Sequence, residues 1–213
     1  GENGDLILTF RVKKGNDVGS VKNAVIEVRT TVDAEKLEIN DINLVSTHVL
    51  TIPINANISF QAKGLYTGSL VQNSGPIPPK VGVPTTYTIV WEMNTAGNNL
   101  EDATFKGVLL PSIVWTGNSV PTDEKLVYQS RTGEVVWHVG PVSAGDQSKK
   151  VLFQVSLTPT ENQIGNQVIL LSKISGMAID AFTKKELRLD LRDITTNLID
   201  DFGIPRDSGT VQK

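Results

Sequence analysis

The side chains best equipped for chemistry are few and scattered. The chain has two histidines, His48 and His138. Both fall at polar-face positions of expected strands. Neither has the companions a zinc site needs, which are about three clustered protein ligands. There is no cysteine, so disulfides, thiolate metal sites and cysteine nucleophiles are excluded. The Gly-x-Ser-x-Gly elbow, the Walker loop and His-Glu-x-x-His are also missing. No catalytic residue and no cofactor is predicted. Carboxylates are the one abundant ligand type. Asp200, Asp201 and Asp207, preceded by Asp190 and Asp193, form the densest set. Such groups suit calcium, which takes several hard oxygen ligands. Asn16 with Asp17 is a second candidate. None of these has the spacing of a known calcium loop, and a solvated surface or tail is the plainer reading. The tryptophans divide by position. Trp91 and Trp137 share faces with apolar neighbours and read as core. Trp115 sits beside a loop and is the candidate for an exposed contact with a glycan or a protein.

Bulk properties narrow the classes further. The chain has 213 residues, with 20 basic and 23 acidic side chains and a net charge of -3. No basic excess exists to draw it onto nucleic acid or anionic lipid. No apolar run approaches the roughly 20 residues that span a bilayer, so no transmembrane segment is expected. Gly1-Glu2-Asn3-Gly4 does not open a signal peptide. The chain reads as cytosolic, or as a mature or excised piece of an exported protein.

The elements that must position these residues are strands. Side chains alternate between faces along an extended chain. In Thr85–Met93, Tyr87, Ile89, Trp91 and Met93 fall on one face, and Thr86, Thr88 and Glu92 on the other. This stretch reads as a central strand. Asp5–Lys13, Val21–Val32, Val49–Ile54 and Ile58–Lys63 alternate in the same way before it. After it come Leu100–Leu109, Ile113–Trp115, Leu126–Gln129, Glu134–Val139, Val151–Leu157, Val168–Met177 and Leu187–Leu191. Ser130-Arg131-Thr132-Gly133 reads as a hairpin connection. No segment of helical length has a 3.6-residue period. Short strands at roughly ten-residue intervals with turn signals between them spell an all-β sandwich.

Between Ile58–Lys63 and the central strand lies Asn73-Ser74-Gly75-Pro76-Ile77-Pro78-Pro79-Lys80. Its prolines favour a stiff, extended spacer, with an edge segment inside one larger domain as the alternative. The expected organisation is two tandem immunoglobulin-like antiparallel sandwiches. Residues 1–73 form the first module, 74–80 a linker, 81–198 the second module and 199–213 a tail or linker.

The second module resembles the conserved-repeat domain family of bacterial and archaeal cell-surface proteins, over about residues 78–198. Val81-Gly82-Val83-Pro84-Thr85-Thr86-Tyr87-Thr88-Ile89 matches the family's opening strand. Leu100 to Leu110-Pro111 matches the strand that ends in Leu-Pro. Glu134-Val135-Val136-Trp137-His138-Val139-Gly140 matches the strand with its Trp and Gly, and Ala144-Gly145-Asp146 the turn after it. Val151-Leu152-Phe153-Gln154-Val155 matches the strand that follows. The turn at Met93–Asn99 is longer than the family's usual one. The resemblance implies an immunoglobulin-like fold, extracellular placement, a parent of repeated modules and no catalysis. Surface sandwiches of this kind are also stapled by Lys–Asn isopeptide bonds. Lys173 and Lys106 are the candidates here, with outward-facing side chains as the alternative.

The function expected is thus a structural or spacer module of a larger cell-surface or envelope protein. Its partners would be neighbouring subunits or modules, joined through edge strands such as Asp5–Lys13. The alternative is an adhesion module that binds a glycan or a protein through loops at one end of the sandwich.

Overall fold

The computed structural model describes Ile7, Thr9 and residues 21–33 and 45–213. Apart from Ile7 and Thr9, the stretch Asp5–Lys13 lies outside the described residues, as do Asn16, Asp17 and residues 34–44. Among the described residues twelve strands run in order: β1 (Val25–Asp33), β2 (Val45–Pro53), β3 (Asn57–Leu65), β4 (Thr85–Ala96), β5 (Leu100–Leu109), β6 (Ile113–Val120), β7 (Leu126–Gln129), β8 (Glu134–Val142), β9 (Lys149–Leu157), β10 (Ile169–Asp180), β11 (Glu186–Asp190) and β12 (Ile194–Thr195). Among the described residues there is no α-helix, only a 3-10 turn at Glu161–Gln163. The protein is an all-β antiparallel sandwich.

One sheet has the order β3-β4-β9-β6 and the other β11-β10-β5-β8-β7, with β12 beside β11 on the edge of β10. β4 is an interior strand of the first sheet, as its alternation predicts. Tyr87, Ile89, Trp91 and Met93 are buried on its inner face. Trp91 stacks on Phe105 of the facing sheet at 4.6 Å between ring centroids and meets Phe153 edge-on at 4.9 Å. Phe60 reaches the same Phe105 ring at 5.3 Å, and Trp137 lies beyond it. Aromatic pairs of this kind add about 0.5–1.5 kcal/mol each beyond their buried area.

The expected boundary at 74–80 falls between strands that pair with each other. β3, on its N-terminal side, runs antiparallel to β4 from Asn57↔Ala96 to Leu65↔Thr88. Ala56 and Phe60 belong to the same core as Trp91 and Trp137. The proline-bearing segment therefore connects two neighbours within one sheet. Its polar residues are tied to the outer face of that sheet. Asn73 Nδ2 donates to Thr88 Oγ1 at 3.0 Å, and the buried Gln154 of β9 donates to Gln72 O at 2.9 Å. Tyr66 Oη donates to Gly75 O at 2.6 Å.

Residues 199–213, expected as a tail or linker, pack on the sandwich too. Val211 is buried in its core, as is Leu198 just before them. Val211 N donates to Asn166 O at 3.0 Å and Gln212 N to Pro79 O at 2.8 Å, making a parallel bridge with Lys80. β6 also runs beyond its expected end. Gly117, with φ +87°, lets it bulge between Trp115 and Ser119 and resume pairing with β9.

β1 and β2 stand outside both sheets. They form an antiparallel hairpin registered from Val25↔Pro53 to Asp33↔Val45. Its base is bound to the sandwich. Asn23 N donates to Asn98 Oδ1 at 2.9 Å, and Asn98 Nδ2 donates to Ile54 O at 2.8 Å.

Candidate functional site

Three places combine polar chemistry with a defined geometry. The first is a junction at the hairpin base. Asp180 ends β10 and is fully buried. Its Oδ2 accepts from Ala56 N at 2.6 Å and from Asn98 Nδ2 at 2.9 Å. Its Oδ1 accepts from Phe182 N at 2.8 Å and Thr183 N at 2.9 Å. Burial pushes the carboxyl pKa up. The donors, led by Thr183 N and the Asn98 amide, outweigh it and hold the group below the usual carboxylate range. One ionised side chain thus joins β3, the β4–β5 turn and the β10–β11 turn. Asn98 extends the network to the hairpin. The sequence does carry a signal for this, since an Asp that closes an apolar strand and opens a turn caps backbone N–H groups two and three residues on.

The second place contains the acidic residues read as calcium candidates. Asp201 Oδ2 accepts from Tyr66 N at 2.6 Å and Thr67 N at 2.7 Å. Its Oδ1 accepts from Thr67 Oγ1 at 2.5 Å and Gly203 N at 2.9 Å. Burial raises this pKa, but the Thr67, Tyr66 and Gly203 donors bring it below the ordinary value. Asp200 is paired instead with Arg192 at 2.7 Å. Asp207 is exposed, with a φ of 61°. Among the described residues no three acidic or imidazole groups are placed to share a metal ion. Asp201 thus serves as an internal staple, both of its oxygens bonded to protein donors, while Asp200 holds Arg192 through Oδ2 alone.

Around this turn the chain leaves a depression of about 440 Å³, lined by Asn197, Ile199, Phe202, Ile204 and Pro205 among others. Phe202 is 92% exposed and Ile199 57%. Asn197 Oδ1 is buried and has no hydrogen-bond partner. Sequence reasoning missed these residues because the stretch has no periodicity to separate an inward side chain from an outward one.

The third place is the hairpin surface. Residues directly opposite each other in an antiparallel pair share a face. Ile26, Val28, Thr30 and Val32 therefore lie with Ile52, Leu50, His48 and Ser46. The other face carries the Glu27–Arg29 ion pair and the Thr31–Thr47 hydroxyl contact, together with the exposed Val25, Val45 and Val49. The first face is the more apolar of the two, and no described strand or sheet covers it. Leu50 is 52% exposed.

Trp115, the candidate exposed contact, is half-buried. Its ring stacks on Tyr128 of β7 at 5.4 Å and lies 5.2 Å from Phe153, so it closes one side of the sandwich between the two sheets. His48 and His138 are on separate elements, and both are exposed. Lys106 and Lys173 are exposed as well, which is the outward-facing alternative weighed for them. Trp137 is buried and donates through Nε1 to Glu124 at 2.7 Å, fastening the loop before β7.

No family model and no curated protein matches the chain. Several solved structures are similar to it. One is BcpA, the major pilin subunit of Bacillus cereus, at 11% identity and a TM-score of 0.44, over 79% of this chain and 47% of that one. This chain therefore spans about half the length of that subunit. Another is the RrgA Jo.In complex, at 9% identity and a TM-score of 0.39, over 76% of this chain and 90% of that one. A third is a DUF4466 family protein from Parabacteroides merdae, at 9% identity and a TM-score of 0.24, over 64% and 44% of the two chains.

Proposed function

We propose that this chain is a non-catalytic structural module of a larger cell-surface or envelope protein, which assembles with neighbouring subunits or modules. The observation that carries this reading is the β1–β2 hairpin, which stands outside both sheets and exposes aliphatic side chains. A two-stranded ribbon alone is marginal in water, and an apolar face that none of the described residues covers invites a partner. Ile26, Val28, Leu50 and Ile52 offer such a face beside two sheets that already have a complete core between them. The resemblance of residues 78–198 to the conserved-repeat family supports placement outside the cell. A fold held by aromatic packing and buried carboxylates, with no cysteine, is compatible with that placement.

Light scattering across a hundredfold concentration range tests the proposal. The weight-average mass should rise with concentration. Ile52→Glu, which puts a charge on the apolar face, should hold the protein at the monomer mass with an unchanged melting profile. A wild type that stays monomeric at every concentration would remove the assembly reading.

A further inference from the structure

We infer that the segment Asp5–Lys13 of this chain adds to the open edge of β3 as a further antiparallel strand of the first sheet, where it covers the leucines of β11. The strand count of the two sheets points to the slot. Phe60 of β3 packs on Gly176 of β10, Trp91 of β4 stacks on Phe105 of β5, and Trp115 of β6 stacks on Tyr128 of β7. β9 and β8 lie between the last two pairs. Four strands face four, and β11 is left over. Its pairing sets Leu189 opposite Gly176 and Leu187 opposite the buried Ala178. Opposed residues share a face, so both leucines point to the interior side, with Leu191 next in the alternation. None of the described strands lies over them, and Leu189 is 38% exposed. β3 borders this gap. It pairs with β4 along its whole length, and among the described residues no strand takes its other edge. An antiparallel strand bonds to one neighbour through alternate residues and turns the remaining N–H and C=O groups the other way, so this edge presents a ladder without a partner. Beside it runs a groove of about 370 Å³, with Gln61, Ala62 and Lys63 on one side and Leu191 and Arg192 on the other.

Asp5–Lys13 has the pattern, the length and the point of attachment for this slot. Leu6, Leu8, Phe10 and Val12 alternate with Ile7, Thr9, Arg11 and Lys13. With the first set turned inward, four apolar side chains meet the leucines of β11 across the gap. Ile7 and Thr9 then stay on the solvent side, where both are exposed in the structure. β3 has nine residues, and the segment is as long. The chain enters the sandwich beside the right end of β3. Val21 lies against Gly97, Asn23 N donates to Asn98, and Asn57 at the start of β3 pairs with Ala96. Between the segment and Val21 stand the seven residues Lys14–Ser20, which reach roughly 23 Å when extended. The slot is two strand spacings from β4, or about 10 Å. A strand that ends there runs antiparallel to β3. A tether this short holds the segment at an effective concentration on the order of millimolar, ahead of a strand from any separate molecule.

The chain has no cysteine, so introduced pairs report without interference. Opposed residues of adjacent strands come within disulfide reach. Gln61→Cys is combined in turn with Ile7→Cys, Thr9→Cys and Arg11→Cys, which covers a shift of register by two residues either way. All four positions are on the outward face in this arrangement. Under mild oxidation one of the three pairings should close within the chain, read as a monomer of altered mobility and as a linked peptide after digestion. Thr9→Cys with Val114→Cys, at an exposed position on the opposite edge of the same sheet, should stay open. If no pairing with Gln61 closes faster than this control, or the linked product is a dimer, the segment of the same chain is not the occupant. Hydrogen exchange reads the slot without any disulfide. The β3 amides that turn away from β4 should exchange slowly in the wild type and lose that protection in Phe10→Asp, while the β4 amides keep theirs. Fast exchange at those β3 amides in the wild type would overturn the inference as well.

Discussion

Asp180 is a charge placed where no water reaches it, so its stability depends wholly on the donors around it. Four are present, three of them backbone N–H groups that fold into place only when β3 and the β10–β11 turn have formed. Removing the carboxylate leaves these donors buried and unpaired, at about 1–3 kcal/mol for each donor that water cannot reach. Asp180→Ala should cost about 3–5 kcal/mol in chemical denaturation, at the upper end for a single substitution. The acid limb follows from the same donors. Asp180 and Asp201 both titrate below the ordinary range when folded. The unfolded chain, with its carboxyls near about 3.9, takes up protons first as the pH falls. Their contribution is complete above about pH 5 and is lost as the pH drops through about 4 towards the folded values. In Asp180→Asn that acid-dependent loss should shrink, which denaturation midpoints between neutral pH and pH 3 will measure.

At the scale of elements, the two sheets meet through matched extremes of size. Gly176 of β10 faces Phe60 of β3, and a Cβ there would run into the phenyl ring. Gly64 of β3 faces Ile194 and Leu198, with a Cβ landing 2.6 and 2.8 Å from them. Gly176→Ala should therefore destabilise the sandwich by about 1–3 kcal/mol through overpacking, with a matching fall in melting temperature. Alternation in the sequence located nearly every strand, because period-two burial is written in adjacent residues. β5 and β7 keep their expected limits. Pairing partners are another matter. Nothing local in Ile58–Lys63 says that it lies along β4, since that depends on how the segment between them crosses the sheet. Three prolines read as a spacer, yet Asn73 and Gln154 fasten this spacer to strands on either side of it. The candidate sites were legible to a similar degree. Trp91 and Trp137 were recognisable as core from their apolar neighbours. Asp201 stood out as an acid, but its role as a staple needed the backbone of Tyr66 and Thr67, more than a hundred residues away in the chain.

For the molecule as a whole, the sandwich is completed by the last stretch of the sequence. Val211 fills the core, Thr196 Oγ1 donates to Gly209 O at 2.6 Å, and Gln167 bridges Thr210. Val211→Asp would place a charge in this dry position. Stability should fall by about 3 kcal/mol or more, and hydrogen exchange should quicken at Gly165 and Gln212, whose N–H groups bond within this seam. The hairpin should remain protected to the same degree as before, because its own anchors lie at the other end.

The Asn98–Asp180 junction has one more consequence, in the response to tension. A chain pulled between Asn23 and Gln212 meets few bonds before the load reaches the core. On one side stand the Asn98 amide bonds to Asn23 and Ile54, and on the other the Lys80–Gln212 bridge. The stacked rings at the centre are shielded until one of these gives way. Resistance to stretching would thus be set by a handful of polar contacts at the two ends, and the hairpin would peel from the sandwich before the sandwich opened. Under load the protein would lengthen by releasing its hairpin while the core stayed folded.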